Sequence, residues 1–230
     1  LGETKRNILI SGATSMFFFD KKNLISKDKM IDLINSIGIG THINKSKPFL
    51  TINIHPDNFD PSFNSEVVSK LLEFINLKGI QIVWLSPNND AGAESINKAL
   101  RGVIASQDYK LKIRFIKALP VNYYASLLNS CNILIGNSSS GIREATALGL
   151  RVINLGGRQL GRETGENVIH AELDHISKVY DKLLMTQDLE KKLPIKKVYG
   201  DFDAAKKAAE FIDSKIIIST KKDPIYTELI

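Results

Sequence analysis

Between residues 135 and 167 the chain reads IGNSSSGIREATALGLRVINLGGRQLGRETGEN. Serine hydroxyls, glycine backbone and arginine guanidinium groups crowd together here around two apolar runs, and an anion is the ligand that such groups suit. Ser138, Ser139 and the amides of residues 139–141, Gly141 included, follow the apolar run NILIG and open the segment IREATALG. A strand handing over to a helix at that point would leave unpaired N–H groups for a phosphate to approach, with the hydroxyls as further donors. The same serines serve equally well as an ordinary N-cap. No Gly-Lys-Ser/Thr follows and no G-x-G-x-x-G stands after the first apolar run, so neither common phosphate loop is present. A carboxylate about one turn further on, Glu144, would be repelled by phosphate but can accept from neutral ribose hydroxyls. Its alternative is a solvent-facing helix glutamate. Arg158 and Arg162 stand in the glycine-rich stretch GGRQLGRETGEN after another apolar run, free to turn toward the same edge or to lie on the surface.

The elements that must position these groups follow from hydrophobic period. Short β-rich runs at residues 7–11 (NILIS), 49–54, 80–86, 111–117, 132–136 (NILIG), 151–155 and 167–171 alternate with segments of helical spacing at 27–37, 65–77, 93–106, 121–129, 140–148, 175–186 and 204–214. Near-continuous apolar strands imply burial on both faces of a parallel sheet. The expected fold is α/β, a doubly wound Rossmann-like parallel sheet whose ligand edge lies at the strand carboxyl ends. Residues 1–217 read as one domain, residues 218–230 as a carboxyl-terminal arm, and the stretch GIGTHINKSKP at 38–48 as a polar loop. A chain of 230 residues with 43% hydrophobic residues can bury such a core. Lys and Arg outnumber Asp and Glu by 31 to 25 without a run of five like charges, a balance that does not exclude nucleic acid but fits a site for an acidic small molecule equally well, and the expected partner is the small molecule, with no nucleic acid. The single cysteine, Cys131, lies in an apolar run, which excludes an internal disulfide and suggests a buried thiol. With no run of membrane-span length and no leader at the start, the expected compartment is the cytoplasm, with no membrane partner. No His/Cys/Asp cluster has metal-ligand spacing, so no metal or other cofactor is expected.

The run GNSSSGIREATALGLRVINLGGRQLGRETGENVIH resembles the signature region of UDP-N-acetylglucosamine 2-epimerases, above all the hydrolysing branch of sialic acid synthesis, to which the GRQ-x-GRETGEN portion is specific. IHP at 54–56, PNNDAG at 87–92 and YGDFDAAKK at 199–207 fall in the family's order. The resemblance implies a glycosyltransferase-B-like enzyme of two facing Rossmann-like domains, of which this chain resembles the second. The amino-terminal domain, which in the family supplies the carboxylates for the C2 proton, has no counterpart here.

Residue by residue, the resemblance makes Ser138 and Ser139 the diphosphate-binding serines, Glu144 the ribose-binding glutamate, Arg158 an arginine at the UDP diphosphate, His55 the active-site histidine and Asn88 a contact to nucleotide or sugar. Asp90 caps the next helix in the alternative reading. The implied reaction removes the C2 proton as UDP leaves C1, then adds water to give N-acetylmannosamine and UDP. UDP and UDP-N-acetylglucosamine are the implied partners, and a homo-oligomer, dimer or tetramer, is implied for the full-length enzyme. Other readings remain open: a non-hydrolysing epimerase, a transferase domain, or a non-catalytic nucleotide-binding module. One departure stands out: where the family reads Gly-x-Pro-x-x-Asp, this chain has Gly12, Thr14 and Phe17, with Asp20 three residues late. Either Asp20 serves, or the carboxylate is absent and an apolar MFFF wall suits a diacetamido-trideoxy sugar nucleotide of legionaminic acid synthesis. Phe202 also replaces a usual glycine.

Overall fold

The computed structural model describes residues 5–106, 111–186, 188–189 and 191–214. In chain order the regular elements are α1 (Lys27–Ile37), β1 (Ile39–Gly40), β2 (Phe49–Asn53), α2 (Pro61–Lys78), β3 (Gln81–Leu85), α3 (Ala93–Ser106), β4 (Ile113–Ile116) and α4 (Val121–Ser130). There follow β5 (Ile133–Gly136), α5 (Ser139–Ile142), α6 (Glu144–Ala147), β6 (Arg151–Leu155), β7 (Val168–Ala171), α7 (Ile176–Thr186) and α8 (Ala204–Asp213). The strands form one sheet in the order β1-β4-β3-β2-β5-β6-β7, parallel throughout except for β1 against β4.

Alternation explains why the strands look continuously apolar. Ile52, Trp84, Ile133, Ile135 and Ile153 point to a core under α2, α3 and α7, whereas Phe49, Val83, Leu134 and Val152 point to one under α1 and α4. Both faces are covered, which makes the sheet a doubly wound three-layer structure. The connections run outward in opposite directions from the β2–β5 seam, so this seam is the topological switch point, with Asn53 paired to Gly136 at its carboxyl end. Gly136 is required there: a Cβ would lie 2.0 Å from the Asn53 carbonyl oxygen.

Several elements begin where local chemistry dictates. Ser26 caps α1 by accepting from Lys29 N at 3.4 Å. Asp60 accepts from Phe63 N at 3.2 Å and Pro61 opens α2, which therefore starts four residues before the spacing of its apolar residues suggests. Cys131 is buried, and burial pushes its thiol pKa up.

Three expectations are corrected. Residues 7–11 form no strand: after a 3₁₀ turn at Lys5–Asn7 the segment runs outside the sheet with Ile8, Leu9 and Ile10 exposed. The expected helix at 140–148 is two helices of four residues each, broken at Arg143 (φ −92°, ψ −70°). Thr146 Oγ1 donates to the Ile142 carbonyl at 2.8 Å, claiming the acceptor that a continuous helix would use, and such back-bonding bends helices. The polar loop at 38–48 contains β1, which the buried Arg114 ties down by donating to the carbonyls of Ile34 (3.0 Å), Gly40 (2.7 Å) and Asn35. The proposed arm at 218–230 lies outside the described residues.

Candidate functional site

Everything at the seam converges on a residue that sequence reasoning passed over, Asn137, which is wholly buried. Its side-chain oxygen accepts from His55 N and its side-chain nitrogen donates to His55 O, each at 2.7 Å, so the amide continues the β2–β5 pairing one step past the strands. Its backbone carbonyl accepts from Gln159 Nε2 at 2.8 Å and Arg158 Nη1 at 3.2 Å. Asn137 thus fastens the end of β2, the end of β5 and the loop after β6 to one another. Gln159 was also missed; it is buried, with its Oε1 left without a partner. The only sequence signals for this pair are an amide just before the serines and another just after Arg158.

Ser138 does cap α5: its Oγ accepts from Ser140 N at 3.4 Å and lies 3.1 Å from Ser140 Oγ. The Gly141 amide is spent on the Ser138 carbonyl at 3.0 Å, and a Cβ on Gly141 would meet Val152 Cγ1 at 3.0 Å, so Gly141 serves the packing of α5 on β6. Among the described residues neither the amide nor the hydroxyl of Ser139 has a hydrogen-bond partner. With only four residues in α5, aligned helix dipoles add little, and an anion here would rest on local donors. A polar chain supports them: Asn53 Nδ2 donates to the Tyr124 hydroxyl at 3.1 Å, which in turn bonds Ser140 Oγ. Burial holds the Tyr124 phenol pKa at about 12, so it remains protonated.

His55 is half-buried at the end of β2. Its Nδ1 accepts from Asn88 N at 3.1 Å, which assigns the ring proton to Nε2. Burial, and next the positive charge of Arg158, lower its pKa; the Asn88 side chain and Asp90 act in the opposite sense. Asn88 also donates through its side chain to Asp90 Oδ2, and Arg158 Nη2 stands 3.7 Å from that same atom. Asp90 accepts at the foot of α3 through its carbonyl, from Ala93 N at 3.0 Å, so its carboxylate is turned to Arg158 rather than to helix capping. Alongside lies a cleft of about 640 Å³ at the carboxyl ends of β2 to β4, lined by Asn53, His55, Pro87, Asn88, Lys117 and Tyr124 among others.

Glu144 is not solvent-facing: it is only 4% exposed. Oε1 accepts from Ser15 Oγ at 3.1 Å and pairs with Arg143 Nη2 at 3.0 Å, while Oε2 is buried without a donor. Ser15 arrives on the 3₁₀ turn Thr14–Phe19, which Gly12 anchors against Gly200; a Cβ on Gly12 would sit 2.7 Å from the Gly200 Cα. Arg162 lies exposed, as its surface reading has it. Asp20 caps the turn Lys21–Asn23 and pairs with Lys22 at 3.1 Å, which holds its carboxyl below the usual range. Of the MFFF residues, Met16 and Phe19 are buried, Phe18 packs on the second core and Phe17 is exposed, so they do not line up as one wall. Phe202 packs on the second core beneath Lys197 Nζ, 5.0 Å from the ring centroid. Among the described residues no three His, Cys, Asp or Glu side chains form a metal-ligand group.

A parallel sheet wound in both directions from such a seam, with its polar groups gathered at the carboxyl edge, makes this a doubly wound Rossmann-like domain whose ligand edge is the seam. Its fold is similar to that of Neisseria meningitidis UDP-GlcNAc 2-epimerase bound to UDP-GlcNAc (TM-score 0.66, 15% identity, 90% of this chain and 56% of that one). The chain belongs to the UDP-N-acetylglucosamine 2-epimerase family, which it matches over residues 1–213. It is 26% identical over 184 residues to the hydrolysing GDP/UDP-N,N'-diacetylbacillosamine 2-epimerase of Campylobacter jejuni, covering 80% of this chain and 46% of the relative. To the hydrolysing UDP-N,N'-diacetylbacillosamine 2-epimerase of Legionella pneumophila it is 35% identical over 125 residues, 53% of this chain and 31% of the relative. The chain therefore spans less than half the length of these curated relatives. Among the described residues no helix is long and apolar enough to cross a membrane.

Proposed function

We propose that this chain is the UDP-binding half of a hydrolysing 2-epimerase that converts UDP-N-acetylglucosamine to N-acetylmannosamine and UDP. The observation that carries the reading is the single hub at Asn137, which brings His55, Ser138 and Arg158 to one end of the β2–β5 seam beside an open cleft. In this scheme the diphosphate lies between Ser138, Ser139 and the Arg158 fork, and Glu144 accepts from the ribose hydroxyls. Asn88 contributes through the backbone N–H that orients His55. His55, held neutral by burial, offers Nε2–H as a hydrogen bond to a phosphate oxygen and so steadies the charge on departing UDP. Arg158 and the hydroxyls oppose the charge that grows on the diphosphate as the C1–O bond breaks, a role worth roughly 10²- to 10³-fold in rate per donor in comparable sites. Residues 1–217 form the nucleotide domain, and the groups that move the C2 proton come from the facing domain of a cytoplasmic homo-oligomer.

A second reading of the substrate has support of its own: two relatives are named for N,N'-diacetylbacillosamine nucleotides. In that reading the same groups hold UDP and only the sugar differs. Titration calorimetry with UDP tests what the two share. Arg158→Ala, or Ser138→Ala with Ser139→Ala, is expected to weaken binding about tenfold or more, while the chain alone releases no free sugar from UDP-N-acetylglucosamine. Unchanged affinity in both variants would remove the phosphate assignment, and turnover by the chain alone would remove the division of labour.

A further inference from the structure

Arg158 is held at the seam by two loose contacts. Its bond to the Asn137 carbonyl is 3.2 Å long, to an oxygen that Gln159 already engages at 2.8 Å, and its other terminal nitrogen is 3.7 Å from Asp90 Oδ2. Asp90 is better fixed, since the Asn88 side-chain amide donates to that same oxygen and the Asp90 carbonyl accepts the Ala93 N–H. The Arg158 and Asp90 side chains are 27% and 48% exposed, so water can solvate both charges when they part and separation is cheap. A diphosphate needs the same guanidinium fork and cannot approach it without meeting the Asp90 carboxylate as a like charge.

We propose that Asp90 is the resting counter-ion of Arg158, exchanged for the diphosphate when the nucleotide binds, and that it thereby sets how fast UDP leaves. The inference rests on the nucleotide reading above. Before nucleotide arrives the pair keeps Arg158 at the seam with its charge opposed. Every binding event must break it, and when UDP is the product, recapture of Arg158 by Asp90 competes with the phosphates and speeds release. A residue that only shaped the α3 loop would weaken binding when altered; this one has to strengthen it.

Asp90→Asn preserves the size of the side chain and keeps an oxygen for the Asn88 amide while removing the charge. Calorimetry with UDP is expected to show affinity about 3- to 5-fold tighter, with phosphorus NMR line shapes of UDP reporting a slower off-rate by the same factor. Introduced into Arg158→Ala, the substitution is expected to give a clearly smaller gain, because the contest for the guanidinium no longer exists and only the repulsion of the phosphates remains. Unchanged or weaker binding by Asp90→Asn overturns the proposal, as does an equal gain in both backgrounds, which would mean simple repulsion of the phosphates. Failure of the unaltered chain to bind UDP at all is a different result and sinks the nucleotide reading itself.

Discussion

The tetrapeptide Asn-Ile-Leu-Ile occurs twice, at residues 7–10 and 132–135, and the two copies have opposite fates. In the second copy Ile133, Leu134 and Ile135 are 0%, 1% and 0% exposed in the middle of the sheet, paired on both sides to β2 and β6. In the first copy Ile8, Leu9 and Ile10 are 54%, 40% and 95% exposed, and the segment joins no strand. Identical local preference therefore decides nothing by itself. Strand propensity records how well side chains fit a pleated, half-buried surface, and only the later copy is supplied with one. Its Asn is fixed in the same way: Asn132 accepts from Phe49 N at 3.2 Å, at the amino end of the seam, and donates to Leu189 O, beyond α7, at 3.1 Å.

Substitutions can break the comparison directly. Ile135→Ala is expected to cost about 2–5 kcal/mol by leaving a cavity in a fully buried layer, whereas Ile10→Ala should stay within about 0.5 kcal/mol. Urea unfolding of the two variants measures both, and equal losses would mean that the amino-terminal copy is packed after all. The next largest effect is at the fifth position, Gly136 in one copy and Ser11 in the other. Gly136→Ala drives a methyl into the Asn53 carbonyl, so a loss of about 1–3 kcal/mol is expected, against almost none for Ser11→Ala. Because Asn53 and Asn137 flank this contact, Gly136→Ala should also weaken UDP binding; a variant that is less stable but binds normally would separate the seam from the site.

How much of this was legible varies with the range of the forces involved. α1 and β6 fall on their expected boundaries, since a serine cap, a run of apolar residues and a following glycine act within a few residues. His55, Ser138 and Arg158 could be placed together from sequence because each ends or follows a strand, and parallel winding carries such ends to one edge. Asn137, Gln159 and Tyr124 could not. Their work is done through buried amide and hydroxyl contacts that have no spacing signature, although Asn137 sits in plain view before the serines. The burial of Glu144 was not legible for a related reason: its partner Ser15 lies 129 positions away, and a loop that distant leaves no mark on the helical period. The break at Arg143 was invisible to periodicity too, being made by one threonine hydroxyl that competes for one carbonyl.

The smallest expected effect sharpens the comparison through pH. The buried copy leads into the residue that clamps His55, while the exposed copy carries no ionisable side chain between residues 7 and 11. Burial, and then Arg158, lower the His55 pKa below its ordinary 6.5. A group whose pKa is lowered by folding takes up its proton first in the unfolded chain, so unfolding is favoured as the pH falls through 6.5 toward the folded value. The stability associated with neutral His55 is therefore fully present above pH 6.5 and lost below it. A single proton limits the slope to about 1.4 kcal/mol per pH unit, and partial solvent access keeps the real figure below that. His55→Gln should flatten this part of the stability curve without altering the difference between Ile135→Ala and Ile10→Ala. UDP should do the reverse to His55 itself: an anion beside the imidazole raises its pKa, so a histidine resonance followed by NMR should titrate at higher pH in the complex. A resonance that ignores the nucleotide would place His55 away from the diphosphate and leave the seam as a purely structural clamp.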